Sequence, residues 1–206
     1  MIQDYTKNNL CDLIGVCFDY AINFLGFDLE YFCDIFSKSK VAKEIENGNP
    51  KYLIGKSGCE VCKEILSEFN LKYKDIEYVA LDKSREYWMG YSLGNYVYIK
   101  KCRFSYAFSF ISVLEYINMY AKYHQMDNTR ILEEIEKYKN NSITNLKRIR
   151  ESNKLSQSQL SILSGVSIRT IQAYEQRSKD INKAESIIVF NLAKVLSCTM
   201  EDLLER

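Results

Sequence analysis

Apolar side chains recur at three- and four-residue intervals along most of this chain, the period of amphipathic helices. Leu10, Leu13, Ile14, Cys17, Ala21, Phe24 and Leu25 form one stripe, which Gly26 ends. A second helix runs from an Asp28 cap through Ile35, Phe36, Val41, Ala42 and Ile45 to Gly48, and "NGNP" then makes a turn. A third spans Ser57 to Phe69 on Val61, Ile65 and Leu66. Only "NLKYKDIEYV" allows an extended chain. Ser84 caps "SREYWMGYSLGNYVYIKKC", where Tyr87, Trp88, Tyr91 and Tyr98 fall at helical spacing. After "RFSYAFSF", Ile111, Leu114, Ile117 and Ala121 mark another helix, and Asn128 to Lys139 a last one. Polar "KNNSIT" follows. It sets a boundary between an N-terminal helical domain, residues 1–140, and a second domain, residues 141–206.

The second domain has a tighter rhythm. Ile143, Leu146, Ile149 and Arg150 share one face of a first helix, and Leu155 closes that layer. Ser156 caps a second helix with Gln159 at the capping-box position, while Leu160 and Leu163 face inward. Gly165 supplies the left-handed turn that ends it. Ser167 caps a third helix whose apolar members are Ile171 and Tyr174. An Asn182 cap starts a further helical turn. Leu192, Leu196, Leu203 and Leu204 are needed for the core, which leaves little apolar surface for self-association. Two short helices around one glycine make helix–turn–helix geometry, with the second helix free to enter a major groove. Its arginine can pair bidentately with guanine and its glutamine with adenine.

Composition supports an all-α chain. A hydrophobic fraction of 47% and a charged fraction of 27% describe an ordinary globular protein, and one proline with eight glycines leaves few helix breakers. No apolar run is long enough to span a bilayer and no secretory leader pattern opens the chain, so a cytoplasmic protein without membrane contact is expected. The net charge is +1, but residues 141–206 hold ten Lys or Arg against seven Asp or Glu, a net of +3. Between Lys147 and Lys183 the balance is eight against three, a basic focus where a polyanion could dock.

Little in the chain suggests catalysis. Seven cysteines, an odd number scattered through helical patterns, fit reduced thiols. Cys59 and Cys62 make the one CxxC, and without a second ligand pair they do not make a metal site. His124 stands alone, and neither a Gly-rich phosphate loop nor paired carboxylates are present, so no catalytic residue, metal or cofactor is expected. The aromatic cluster from Tyr87 to Phe110 can be a stacking platform, a ligand pocket or core packing; its helical spacing favours core.

"LKRIRESNKLSQSQLSILSGVSIRTIQAYEQR", followed by "LAKVLSCTMEDLLE", resembles the Xre/Cro/C1-type DNA-binding domain, a five-helix lambda-repressor-like fold. The likeness covers Thr144 to Glu205. It implies that Gln157 contacts a phosphate, that Ser167 caps the recognition helix and touches backbone, and that Ile168, Arg169, Gln172 and Ala173 face base edges. Arg177 joins this DNA-binding set, and Lys179 and Lys183 are further backbone contacts. Glu175 matches a position that pairs with an arginine on the first helix, here Arg150, as a structural pair. Two features depart from the pattern: Ser161 stands where the family often has alanine, and the connection from Glu175 to Leu192 is long.

"AKEIENGNPKYLIGKSG" and "SREYWMGYSLGNY…FSF" more distantly resemble the helical regions preceding such domains in antitoxin-like bacterial regulators encoded beside toxin genes. Together the resemblances imply a transcriptional regulator of repressor type. It would be a homodimer on an inverted-repeat operator in double-stranded DNA. Its first domain would hold a protein partner such as a cognate toxin. The alternative is a one-component regulator whose first domain senses a small molecule; an enzyme is the poorest reading.

Overall fold

The computed structural model describes residues 2–79 and 82–206, and among them every regular element is helical. The chain divides into two compact units, Met1–Lys139 and Asn140–Arg206.

The first unit is organised on α1, Ile2–Asp19. Beside it lies α6, Arg85–Lys100, which the Ser84 hydroxyl caps by accepting from the Tyr87 amide. Glycines set how close these two helices come. A Cβ on Gly90 would stand 2.6 Å from the Ile14 carbonyl oxygen, and one on Gly94 would stand 3.2 Å from the Cys11 Cα. Gly15 of α1 faces the Tyr87 ring in the same way, at 2.9 Å. Helix α5, Gly58–Glu68, begins against α1 as well: a Cβ on Gly58 would meet the Leu13 carbonyl at 2.6 Å. Backbone therefore packs on backbone, and the apolar stripe of α1 reaches both partners. Around it, Phe18 meets Phe32 and Phe36 edge-on at 5.4 and 5.0 Å, and Phe36 meets Phe104 at 4.9 Å.

Beyond α1 the helix widens into a π-turn over Tyr20–Phe24 and stops at Gly26, whose φ is +76°. Residues 70–79 are neither helix nor strand. Two phenols fasten this stretch: Tyr20 donates to Asp75 at 2.7 Å and to the Ile76 carbonyl at 2.9 Å, and Tyr78 donates to Asp19 at 2.8 Å. Asp19, only 2% exposed, also accepts from Ser84, so one buried carboxylate ties the loop to the start of α6. Burial and the Asp19 carboxylate push the Tyr78 phenol above its ordinary range.

Two expected helices are each two. The one expected over 28–48 divides into α2, Leu29–Lys38, and α3, Lys40–Glu46, because the Ser39 hydroxyl accepts from the Ala42 amide and caps a new helix. Its final turn leads into a short α4, Pro50–Leu53, capped by Asn49. After α7, Phe104–Ala107, the helix expected over 111–121 is instead α8, Val113–Asn118, and α9, Tyr120–Tyr123. Ser112 and Glu115 close a capping box, which starts α8 after Ile111 and leaves Leu114 and Ala121 exposed. α10, Asn128–Asn141, buries Ile131 and Ile135.

The second unit carries five α-helices: α11 (Asn145–Ser152), α12 (Gln157–Ser164), α13 (Ile168–Glu175), α14 (Ser186–Leu196) and α15 (Met200–Leu203). Its core joins Leu146, Ile149, Leu160, Val166, Ile171, Tyr174, Val189, Leu192, Leu196 and Leu203. Three expectations are corrected here. Thr144 caps α11, which leaves Ile143 outside the helix and 53% exposed. Leu163 points out, 60% exposed; the inward position belongs to Ser164, whose hydroxyl donates to the Leu160 carbonyl and so needs no apolar neighbour. Asp180, not Asn182, caps the turn Ile181–Lys183, because the Asn182 amide is engaged with both backbone groups of Glu205.

The glycine contacts generate a stability test. In an open helix Gly→Ala gains roughly 0.5–1 kcal/mol. Gly90→Ala is expected to lose about 1–3 kcal/mol instead, as an overpacked core does, and Gly94→Ala to lose less. Urea titration of the whole chain checks this; a stabilised Gly90→Ala would contradict the packing described.

Candidate nucleic-acid interface

Helices α12 and α13 join through Gly165, which takes φ +70° and ψ 5° while its amide donates to the Ser161 carbonyl at 3.0 Å. Only a residue without Cβ adopts that turn at little cost. Ser156 caps α12 in a reciprocal box with Gln159, and the Ser167 hydroxyl caps α13 by accepting from the Thr170 amide. Thr170, which sequence reasoning did not single out, steadies that cap through a 2.8 Å hydroxyl contact with Ser167.

Ile171 and Tyr174 bury the inner face of α13. Ser167, Ile168 and Arg169 stand exposed at its first turn, and Gln172 and Ala173 are half-buried one turn on. The structure thus brings five of the residues expected at base edges or backbone onto one helix.

A buried polar network fixes the attitude of α13. The Arg150 guanidinium donates from Nε to Glu175 Oε1 at 2.6 Å and from Nη2 to Oε2 at 2.9 Å. Its third group, Nη1, donates to the Leu155 carbonyl at 2.7 Å. The Glu175 side chain is 3% exposed, so the carboxylate depends on these donors. Its hydrogen bonds raise the Arg150 pKa still further. Gln157 is a third partner: its amide nitrogen donates to Glu175 Oε2 at 2.8 Å and its oxygen accepts from Gln172 at 3.4 Å. An amide nitrogen carries two donors, so Gln157 keeps one N–H, and Gln172 keeps its oxygen and one N–H, beyond these contacts.

Arg177 stands just past the end of α13. Its backbone is left-handed, φ 53°, and its guanidinium donates to the Ser142 carbonyl at 2.6 Å and to Glu205 at 2.8 Å. It joins the segment before α11 to the one after α15 through one donor on each guanidinium nitrogen. Lys179 lies over the Tyr174 ring at 5.5 Å, and Lys183 stands 3.8 Å from Asp180. The unit also leaves apolar groups outside, contrary to expectation: Ile162 (80% exposed), Leu163, Ile187 and Phe190.

In the first unit, Cys59 is half-buried and Cys62 buried, both as free thiols. Burial pushes the Cys59 pKa up to about 11, which keeps the thiol protonated near neutrality. Among the described residues no group of His, Cys, Asp or Glu could hold a metal ion, and no helix is long and apolar enough to cross a membrane. No protein-family model matches the chain, and neither does any curated protein or solved structure.

Removing one partner of a buried ion pair leaves the other uncompensated, at roughly 3–5 kcal/mol. Arg150→Met should therefore destabilise the second unit by about that much, while the double change with Glu175→Met recovers most of it. Urea unfolding followed by NMR at the amides of residues 145–203 measures both. A single variant as stable as the double would contradict the role given to the pair.

Proposed function

We propose that residues 140–206 bind double-stranded DNA by a helix–turn–helix and that the protein is a sequence-specific transcriptional regulator of repressor type. One observation carries the reading: Arg169 and Gln172, a guanine and an adenine reader by chemistry, project from a helix that the Arg150–Glu175 pair holds in place. The charge supports it. Lys147, Arg148, Lys154, Arg169, Lys179 and Lys183 reach the surface, while Arg150 and Arg177 serve internal contacts. The Ser156 and Ser167 caps begin two helices whose first-turn amides suit phosphate oxygens.

A single recognition helix covers few base pairs, so the proposal includes a homodimer on an inverted repeat, with half-sites about 34–36 Å apart. The first unit then holds a protein partner, such as the toxin of a toxin–antitoxin pair; the support is the sequence resemblance of "AKEIENGNPKYLIGKSG" and "SREYWMGYSLGNY". A second reading, a small-molecule sensor, is favoured by an aromatic cleft lined by Tyr87, Trp88, Tyr91 and Tyr120 in that unit.

Fluorescence anisotropy with the full chain and a selected duplex tests the DNA reading. Two chains per inverted repeat are expected, with affinity falling steeply as salt rises. Arg169→Ala should cost about 1–3 kcal/mol on the selected site and relax discrimination at one base pair. Gln157→Ala should weaken selected and unrelated duplexes alike. No binding at low salt would remove the proposal, and equal losses for both variants on both duplexes would remove the residue roles.

A further inference from the structure

Rings from two helices, α6 and α9, converge on one concave patch of the first unit. Tyr87 and Tyr91, one turn apart on α6, stack at 6.1 Å and 25°. Trp88 meets Tyr120 of α9 edge-on at 5.7 Å, and Tyr120 stacks on His124 at 4.4 Å and 22°. Asn128, at the start of α10, lines the same patch. Together with Lys83 these side chains enclose a cleft of about 260 Å³. That is just under the ~300–1,000 Å³ usual for small-molecule sites, so it suits one ring or two fused rings. The patch differs from the core beside it: Tyr96 and Tyr116 are fully buried, whereas Trp88, Tyr91 and Tyr120 keep half-exposed faces toward the cleft's opening.

Charge decides which kind of ring. The Lys83 ammonium stands 4.5 Å from the Tyr87 centroid and 5.8 Å from that of Tyr91. A cationic guest would need those two faces, and the chain's own cation already covers them. The Asp12 carboxylate is the opposing charge, but it accepts a hydrogen bond from the Tyr87 hydroxyl and lies 3.9 Å from Lys83. An ammonium has three donors, so Lys83, its side chain 71% exposed, can take a second anion.

We propose that this cleft binds a planar aromatic anion, one or two fused rings bearing a carboxylate or phosphate, with the ring against Trp88 and Tyr120 and the anionic group on Lys83. The inference deepens the small-molecule reading of the first unit. It concerns binding alone, so its outcome is separable from any effect on DNA.

Trp88 is the chain's one tryptophan, so its emission reports the cleft directly. The full chain is titrated, without DNA, with benzoate for a carboxylate source and adenosine 5′-monophosphate for a phosphate source, against neutral benzamide and adenosine. The expected result is a saturable change in Trp88 emission with at least one anion, tenfold weaker or more with its neutral counterpart. Lys83→Met, a change at an exposed side chain, should weaken that anion tenfold or more. The arm that saturates names the source. Failure of both anions to saturate by about 1 mM, the weak limit of specific binding, overturns the proposal. So does an affinity that neither Lys83→Met nor loss of the ligand's charge alters.

Discussion

The second unit depends on one buried contact, the two-pronged hydrogen bond between Arg150 and Glu175. A carboxylate taken out of water is costly unless every lone pair is answered. Here two guanidinium donors and the Gln157 amide answer it, and the remaining guanidinium nitrogen satisfies the Leu155 carbonyl. Donors from α11 and α12 thus meet an acceptor at the end of α13. None of the three helices can turn without stranding a charge. Short helices of eight residues have little stability of their own. Their geometry comes from this junction and from the apolar layer of Leu146, Leu160 and Ile171 beneath it.

In the first unit, close backbone approach sets the helix pairing. α1 and α6 meet through Gly15, Gly90 and Gly94, so main chains approach where side chains would otherwise hold them apart. Helix α6 places Tyr87, Trp88 and Tyr91 within its first two turns. The same helix sends Tyr96 into the core. Core and cleft are therefore two faces of one element, which is why the aromatic spacing alone fitted both readings.

Much of this was legible in the sequence. Caps were readable because Asp28, Ser84, Ser156 and Ser167 each precede an apolar stripe, and each accepts an amide of the helix it opens. The Arg150–Glu175 pair followed from a family resemblance, since a separation of 25 positions gives no local signal. Ser39 and Ser112 were hidden inside stripes that keep helical phase across a break, so hydrophobic period could not reveal them. Leu163 misled because an apolar residue at helical spacing reads as inward, although the serine beside it satisfies its own hydroxyl within the helix. Arg177 and Asn182 were illegible for another reason. Their partners, Ser142 and Glu205, lie far along the chain, and only the closed fold brings them together.

The central claim is that α13, held by its buried ion pair, is the surface that meets DNA. Amide chemical shifts of the full chain, recorded as a short duplex is added at low salt, test it most directly. The account requires the largest changes at residues 157, 167–169, 172 and 173, with the Arg150 guanidinium signal retained, since that group stays on Glu175. Changes concentrated in residues 7–139, or an even spread over every exposed lysine with none focused on α13, would contradict it.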